Sequence, residues 1–500
     1  MKLNVSGNIN QYYVQTLCMI FFPGEHFSED EKNRADGVAV PEMSLVLTED
    51  EEGVKVSAEL TLDDKYSSCE KIYPHREDIT HDRLKKIAVG DAVLSVCGEA
   101  ISYRPSWGML VGVRPSKVAT EMLESGMSKT RVKKTLVSDY FVIPKKAALA
   151  TEVALNEAEL VKAADDKDCS VYISIPFCPT RCAYCSFVSY TSPKLLATIP
   201  DYLVALGDEI NKTFDLIREL GLRVKTVYIG GGTPTILDND QLDWLLSMVE
   251  KNTDVSKLEE YTLEAGRPDT ITADKMRIAK ERGVMRISVN PQTLNDDVLR
   301  IIGRSHTADD FLRAYDIARQ SGIKIINTDV IAGLPGDKFS SFAASYDKIV
   351  GLKPENITVH TFSVKKASDF LKNYSHIYSI RGGDVGKCVD YSQITAQHEG
   401  YKPYYMYRQK NTVGNYENVG FALDGYKGLY NIYMMEEIHS IFACGAGAVS
   451  KFVDYAPKDG CPRKIERFFN PKYPYEYLSD NKTEQKIDAA REFYARRHIK

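Results

Sequence analysis

The sequence predicts an α/β protein: a partial (β/α)6 barrel with an N-terminal α+β domain and a C-terminal mixed extension. Three observations carry this. From residue 171 to about 365, short β-branched or aromatic runs alternate with long amphipathic stretches, the pattern of successive β/α units on a parallel sheet. Six such units are present, fewer than the eight of a closed barrel. Every motif in that region falls where a strand should end, the side on which such barrels gather their chemistry.

At 500 residues the chain exceeds one compact core, and the composition shifts suggest domains at 1–165, 166–365 and 366–500. Apolar residues make up 43% and charged residues 27%, as in ordinary globular proteins, and a net charge of −5 gives no reason to expect nucleic acid or an anionic membrane as a partner. There is no run of about 18 apolar residues, and the start MKLNVSGNINQYYVQ lacks an apolar core, so a cytoplasmic protein without a membrane span is expected. In that compartment clustered cysteines read as metal ligands. The scattered Cys18, Cys69, Cys97, Cys169, Cys388, Cys444 and Cys461 read as buried small hydrophobes.

Residues 1 to about 100 look like short β-type runs between polar turns, with Met43–Thr48 and Gly53–Leu60 as strands and a further apolar segment at Asp91–Cys97. Trp107–Lys117 follows, and its glycines with Arg114 could form an anion or partner site, or simply a turn before a solvated basic helix reaching Lys134. Lys145–Asp168, rich in Ala, Lys and Glu, reads as a connecting helix or linker. The barrel strands are expected at Val171–Ile175, Lys225–Ile229, Tyr261–Ala265, Met285–Val289, Ile323–Ile331 and Asn356–Phe362. Helices are expected near 195–220, 238–251, 272–282, 295–320 (with a break) and 339–350. Past Lys365 the periodicity weakens amid tyrosines and glycines, and the tail closes in a charged helix, Lys482–His498.

The strand at Val171–Ile175 runs into Pro176, which passes the chain into a loop bearing Cys178, Cys182 and Cys185 in the order C-x3-C-x2-C. No further cysteine follows until Cys388. Three thiolates suit a [4Fe–4S] cluster whose fourth iron is open to a small molecule, whereas a structural zinc site would need a distant fourth ligand. One β/α unit on, Gly230-Gly231-Gly232-Thr233-Pro234 ends the second strand, where bare backbone could meet an amino acid's ammonium or carboxylate. His306 and His360 read as hydrogen-bonding residues, because the open iron must stay free.

Tyr172-Ile-Ser-Ile-Pro-Phe-Cys178, the cysteine spacing with Tyr184 before the last cysteine, and Gly-Gly-Gly-Thr-Pro together resemble the radical S-adenosylmethionine (SAM) superfamily. Within it they resemble the oxygen-independent coproporphyrinogen III oxidases. Further matches are Glu264, Arg286–Gln292, Gly303-Arg304-Ser-His306, Asn327–Gly336 and Gly445-Ala-Gly447-Ala-Val449-Ser450, so that the resemblance spans about 165–455. The long N-terminal domain, Tyr404–Lys410 and Tyr416-Glu-Asn418 are similar to the HemZ-type branch.

That resemblance implies that SAM chelates the open iron and that one electron from the cluster cleaves it to methionine and a 5′-deoxyadenosyl radical. The radical would remove a propionate β-hydrogen, and loss of CO2 and a second electron would leave a vinyl group. Two rounds convert coproporphyrinogen III to protoporphyrinogen IX, with an electron donor such as flavodoxin or ferredoxin. The resemblance further implies Cys178, Cys182 and Cys185 as cluster ligands, and Tyr172, Gly231, Glu264, Ser363 and Val449 around the cluster-bound SAM, Ser363 standing where alanine is usual. Tyr184, Gly232, Thr233, Gln292, Arg304 and Asp329 match positions that hold a second SAM. A tetrapyrrole with four carboxylates calls for a basic, aromatic cavity, and the candidates are Lys365, Lys366, Arg381, Arg408 and Lys410, with Tyr404, Tyr405 and Tyr407. Two other functions are open to the same sequence. One is a haem chaperone, although Leu429–Tyr433 lacks the histidine and tryptophan of that group's C-terminal element. The other is radical chemistry on a different substrate.

Overall fold

A computed structural model describes residues 1–22, 25, 27, 40–185, 189–363, 383–409, 412–454 and 464–498, and the chain divides into two compact units. Of the expected substrate contacts, Lys365, Lys366, Arg381 and Lys410 lie outside the described residues, as does Cys461.

The first unit comprises Met1–Leu155 with 383–386 and Met406–Glu417. Its sheet has the order β1 (Lys2–Ser6), β2 (Glu42–Glu49), β3 (Gly53–Leu62), β4 (Lys65–Pro74), with β1 parallel to β2 and the rest antiparallel. Alternation decides which face is covered: Val54, Val56, Ala58 and Leu60 of β3 are all buried. The helix His81–Ile101 packs on β3 and β4. Asp91–Cys97, which the sequence marks only as an apolar segment, lies within this helix. Buried Leu84, Ala88, Ala92, Val96 and Ala100 recur every four residues, a helical stripe that the local apolar run conceals. Thr80 caps the helix through its side chain, accepting from the Arg83 amide at 3.3 Å.

A buried carboxylate pins this unit's interior. Glu417 accepts from Lys146 Nζ at 2.5 Å and Trp107 Nε1 at 2.8 Å. Arg408, expected to grip a substrate carboxylate, is spent here instead. Its amide donates to the Val113 carbonyl at 2.7 Å, and its guanidinium donates to the Leu110 carbonyl and to Asn415 Oδ1. Burial brings its pKa down to about 10.

The second unit takes most of the chain from Asn156 onward. Its strands are β5 (Asp168–Ile175), β6 (Arg223–Gly231), β7 (Glu260–Glu264), β8 (Arg286–Ser288), β9 (Ile325–Ala332), β10 (Asn356–Thr361), β11 (Lys402–Tyr407, whose last two residues count with the first unit), β12 (Asn418–Ala422), β13 (Ser440–Cys444), β14 (Val449–Asp454) and β15 (Lys464–Phe469). They form one sheet in the order β11-β12-β10-β9-β8-β7-β6-β5-β13-β14-β15. β5 to β10 pair in parallel, each beside its predecessor, as six β/α units require. β13 returns to lie parallel against β5, and β12 and β14 add antiparallel flanks. The order begins and ends at different strands, so the barrel is partial and not closed.

The register puts two chemistries on opposite faces. Val171, Ile173, Val227, Ile229, Leu263, Ile287, Ile326 and Val330 share one face and are buried. Tyr172, Tyr228, Thr262, Glu264, Ser288, Asn327, Asp329 and Thr358 share the other. A face that polar cannot close on itself as an apolar core, and each group must find a partner within the sheet or in a ligand. Tyr404 and Tyr405, expected to stack on a substrate, are buried, with their rings 4.9 Å apart beside Gly420. Among the described residues no helix is long and apolar enough to cross a membrane.

Candidate functional site

β5 ends at Ile175, and the cysteine loop that follows is fastened on both sides. Cys178 N donates to the Tyr190 carbonyl at 3.1 Å, and Ala183 N donates to the Ile302 carbonyl at 3.0 Å. Thr180 Oγ1 donates to the Gly303 carbonyl at 3.3 Å, which seats the loop on the turn carrying Gly303-Arg304-Ser305-His306. Donors stand beside the sulfurs of Cys178 and Cys182. Thr233 Oγ1 lies 3.3 Å from Cys178 Sγ, and Arg267 Nη1 lies 3.9 Å from Cys182 Sγ.

Arg267 is a site residue that the motifs did not disclose. Buried at 3% exposure, it holds Asp269 with two bonds at 3.0 and 2.9 Å, Thr180 Oγ1 at 3.0 Å and Ser305 Oγ at 2.9 Å. The signal was its place three residues past Glu264, in the loop leaving a strand end.

The glycine triplet lies against the root of the cysteine loop. A Cβ on Gly232 would stand 2.4 Å from the Phe177 carbonyl oxygen, and one on Gly231, whose φ is +108°, would stand 2.9 Å from Ser174 Oγ. Only glycine fits this approach. Gly232 N and Thr233 N donate to the Ile175 and Phe177 carbonyls at 2.8 Å each, extending the β5–β6 pairing past the strand ends.

Glu264 sits across from the triplet. Burial, then the charge of Asp329, pushes its carboxyl up to about 7, with hydrogen bonds from Tyr228 and the Gly231 amide pulling the other way. Asp329 accepts from Asn290 Nδ2 at 2.9 Å and Asn327 Nδ2 at 2.7 Å, and His360 Nε2 lies 3.7 Å away. Gln292 is held with φ of +68°, its N donating to the Asp329 carbonyl at 3.1 Å and its carbonyl accepting from Ile331 N at 2.9 Å. Its buried Oε1 has no donor, and neither ring nitrogen bond of His306 reaches beyond Arg304, leaving His306 Nε2 unpartnered. Burial and the neighbouring Arg304 hold His306 down to about 3, so it is a neutral donor in this site.

Arg304 stands differently from the ligand-gripping role the resemblance implies. It donates to Tyr184 OH at 2.9 Å, Gly266 O at 2.8 Å, Asn290 O at 2.7 Å and His306 Nδ1 at 3.4 Å. Four of its five N–H groups are spent tying the cysteine loop to the β7 and β8 ends. Tyr172 is half-buried and stacks with Tyr228 and Tyr430, at centroid distances of 6.0 and 6.2 Å. Thus Tyr172, Tyr184, Gly231, Gly232, Thr233, Glu264, Gln292, Arg304 and Asp329 form one connected neighbourhood around the loop. Ser363 is buried just past β10, and Val449 opens β14 with 37% of its surface exposed.

The loop that precedes Val449 is fixed from beneath by groups no motif named. Ser174 Oγ donates to the Ala446 carbonyl at 3.0 Å, while Tyr202 OH accepts from Ala446 N at 2.9 Å and donates to Ser174 O at 2.8 Å. Glu209, buried, accepts from Gly445 N at 2.7 Å, Tyr477 OH at 2.6 Å, Asn470 Nδ2 at 2.9 Å and Lys486 Nζ at 2.5 Å. Burial raises its pKa, and the charge and hydrogen bonds of Lys486 and the other donors outweigh that and leave it below the usual value.

These residues fit an iron–sulfur cluster with an amino-acid-bearing cofactor. Two thiols have donors suited to thiolate, the glycines leave bare backbone, Gln292 Oε1 and His306 Nε2 are buried polar atoms without partners, and Glu264 adds a half-buried carboxylate. Among the described residues no three metal-binding side chains close on a single ion. A cubane asks for something else, since each thiolate takes its own iron.

Residues 172–349 match the Radical SAM superfamily. The oxygen-independent coproporphyrinogen-III oxidase-like protein HemZ of Bacillus subtilis is 35% identical over 483 residues, 95% of this chain and 94% of that protein. The heme chaperone HemW of Bacillus subtilis is 31% identical over 307 residues, 59% of this chain and 77% of that protein. Among solved structures, the Escherichia coli coproporphyrinogen III oxidase HemN, a radical SAM enzyme, gives a TM-score of 0.48 at 20% identity, covering 67% of this chain and 73% of that one.

Proposed function

Since the chain belongs to the radical SAM proteins of the oxygen-independent coproporphyrinogen-III oxidase-like family, we propose that it oxidatively decarboxylates two propionates of coproporphyrinogen III to the vinyl groups of protoporphyrinogen IX. The observation that carries this is the 35% identity over 95% of the chain, which takes in both units. A [4Fe–4S] cluster with SAM supplies, when bound, one-electron hydrogen abstraction at an unactivated carbon.

The protein's share is placement and shielding. Cys178, Cys182 and Cys185 would hold the cluster and leave one iron without a protein ligand. Gly231 and Gly232 let a cofactor lie against main chain, and Glu264 offers it a carboxylate whose proton is held loosely near neutrality. Gln292 Oε1 supplies an acceptor already stripped of water, so no desolvation is left to overcome when a donor arrives. Tyr172, Tyr228 and Tyr430 fill the polar face below with stacked rings and keep water from that side.

The shared sequence with a heme chaperone supports a second reading, haem binding on the same scaffold. Tyr430 is buried within the tyrosine stack, so the segment comparable to the chaperones' C-terminal element is committed to packing here. One anaerobic assay separates the readings. Cluster-reconstituted protein is given SAM, a reductant and coproporphyrinogen III, and the products are resolved by chromatography. Vinyl-bearing porphyrinogen is expected. Methionine and 5′-deoxyadenosine without vinyl product would point to another substrate, and stoichiometric haem binding without SAM cleavage would point to the chaperone.

A further inference from the structure

Tyr190 ties the cysteine loop to the protein surface. Its carbonyl accepts from Cys178 N at 3.1 Å, and its own N donates to the Pro176 carbonyl at 2.9 Å, so one hydrogen bond separates it from the backbone of a cluster ligand. Its ring lies 5.7 Å from Tyr473, which stacks on Tyr475 at 5.3 Å. Tyr475 is 54% exposed, and Lys472, preceding Tyr473, is exposed too. Exposed rings in a group are unusual on a monomer's surface and mark contact sites.

Two cations flank the rings. Lys472 Nζ lies 5.7 Å from the centre of the Tyr473 ring, and the charge of Arg181, within the cysteine loop, bears on the Tyr190 hydroxyl. Neither cation has an ion-pair partner among the described residues. The nearby Glu476 carboxylate is partly committed, accepting from Tyr473 N at 3.4 Å at the start of the helix Pro474–Ser479. A protein with a net charge of −5 that leaves unpaired cations around aromatic rings beside its cysteine loop has a surface fitted to an acidic partner.

The geometry points to the face formed by Tyr190, Lys472, Tyr473 and Tyr475, with Arg181 at its edge, as the docking site for a small acidic electron-carrier protein that delivers one electron at a time to the cluster. This rests on the cluster assignment of the preceding section. The carrier is oxidised by one electron, the cluster is reduced by one, and the path enters at Tyr190 and reaches Cys178 across one hydrogen bond. Contacts of this kind are small, below about 1,200 Å², and driven by charge, so they weaken steeply with salt.

The test is stopped-flow bleaching of the cluster's visible absorption, under anaerobic conditions, by a reduced acidic flavodoxin and separately by dithionite. The variant is Lys472→Glu with Tyr475→Ser, neither residue lying in the cluster or SAM site. At low salt the variant should be reduced by flavodoxin about tenfold more slowly than the parent, and added salt should slow the parent much more than the variant. Dithionite should reduce both equally. Equal flavodoxin rates, no salt dependence, or a parent that dithionite reduces and flavodoxin does not, would each overturn the docking site and leave the cluster reading intact. A parent showing no reducible cluster would overturn both. Should dithionite reduction of the variant also slow, Lys472→Glu alone, which leaves the tyrosine rings in place, repeats the comparison with the same two outcomes.

Discussion

Lys486 sits on the helix Thr483–His498, far along the chain from every motif, yet its loss should loosen the glycine loop that leads to Val449. Lys486→Met removes a bond to Glu209 of 2.5 Å, and bonds of 3.0 Å to Thr213 Oγ1 and the Ala443 carbonyl. The Glu209 carboxylate keeps three donors: Gly445 N, Asn470 Nδ2 and Tyr477 OH. Removing one member of a buried ion pair costs about 3–5 kcal/mol, and a carboxylate that still has three donors belongs at the lower end, about 3 kcal/mol. Glu209→Leu leaves the ammonium, the Gly445 amide, Tyr477 and Asn470 all short of an acceptor, so about 5 kcal/mol is expected there.

The readout should be local, because a two-unit chain does not unfold in one step. Hydrogen exchange at the Gly445 and Ala446 amides reports opening of the loop itself. A cost of about 3 kcal/mol corresponds to exchange roughly a hundredfold faster in Lys486→Met, with amides of the first unit unchanged. SAM affinity, measured by titration of the cluster-loaded protein, should fall alongside, since the same loop is joined to Ser174 at the root of the cysteine loop. Exchange at Gly445 and Ala446 within about threefold of the parent would refute the assignment of Lys486 and Glu209 as the loop's support. The effect also has a pH signature. Glu209 has a lowered pKa, so its contribution is present above the unfolded value and is lost as pH falls through the folded one; Glu209→Gln should remove that acid-side loss.

Three further outcomes follow from the site. Glu264, raised from 4.5 to about 7, costs the ligand-free protein stability as pH rises through that window, on the order of 3 kcal/mol by pH 8, and Glu264→Gln should flatten the profile. If the carboxylate receives the cofactor's amine, SAM affinity should rise with pH up to about 7 in the parent and be level in Glu264→Gln, as calorimetry would show. Arg267→Met removes a donor beside Cys182 Sγ that favours the more negative, reduced cluster; the midpoint potential should drop by on the order of 50 mV in a redox titration, and an unchanged potential would discount the contact. Cys182→Ala should lose the cluster's visible absorption, whereas Cys388→Ala, at a buried position without ligand spacing, should keep it.

What could be read from the sequence, and what could not, divides along the range of the interactions concerned. The six barrel strands and their helices were legible because each is written in contiguous residues, in β-branched runs ended by glycine or proline. The cysteine loop, Gly231, Gly232 and Glu264 were legible for the same reason, as motifs at strand ends. The helix at 81–101 escaped because its stripe, Leu84 to Ala100, is spaced at four while the eye falls on a continuous apolar run. Among the flanking strands, β12 and β13 escaped because each pairs with a strand distant in the chain, β13 beside β5 being more than 250 residues away in sequence. Arg304 and Arg408 show the limit most clearly. An arginine's type and position announce a possible anion grip, but the use of its N–H groups is settled by carbonyls such as Gly266, Asn290 and Leu110, which have no signature. The same holds in reverse for Glu209 and Lys486. A buried pair is costly to keep and ruinous to break, so its presence under the Gly445–Val449 turn makes sense where that turn must stay in one place. The motif marks where a ligand is to be met, and the pair beneath it, separated by 277 residues, holds that meeting place still.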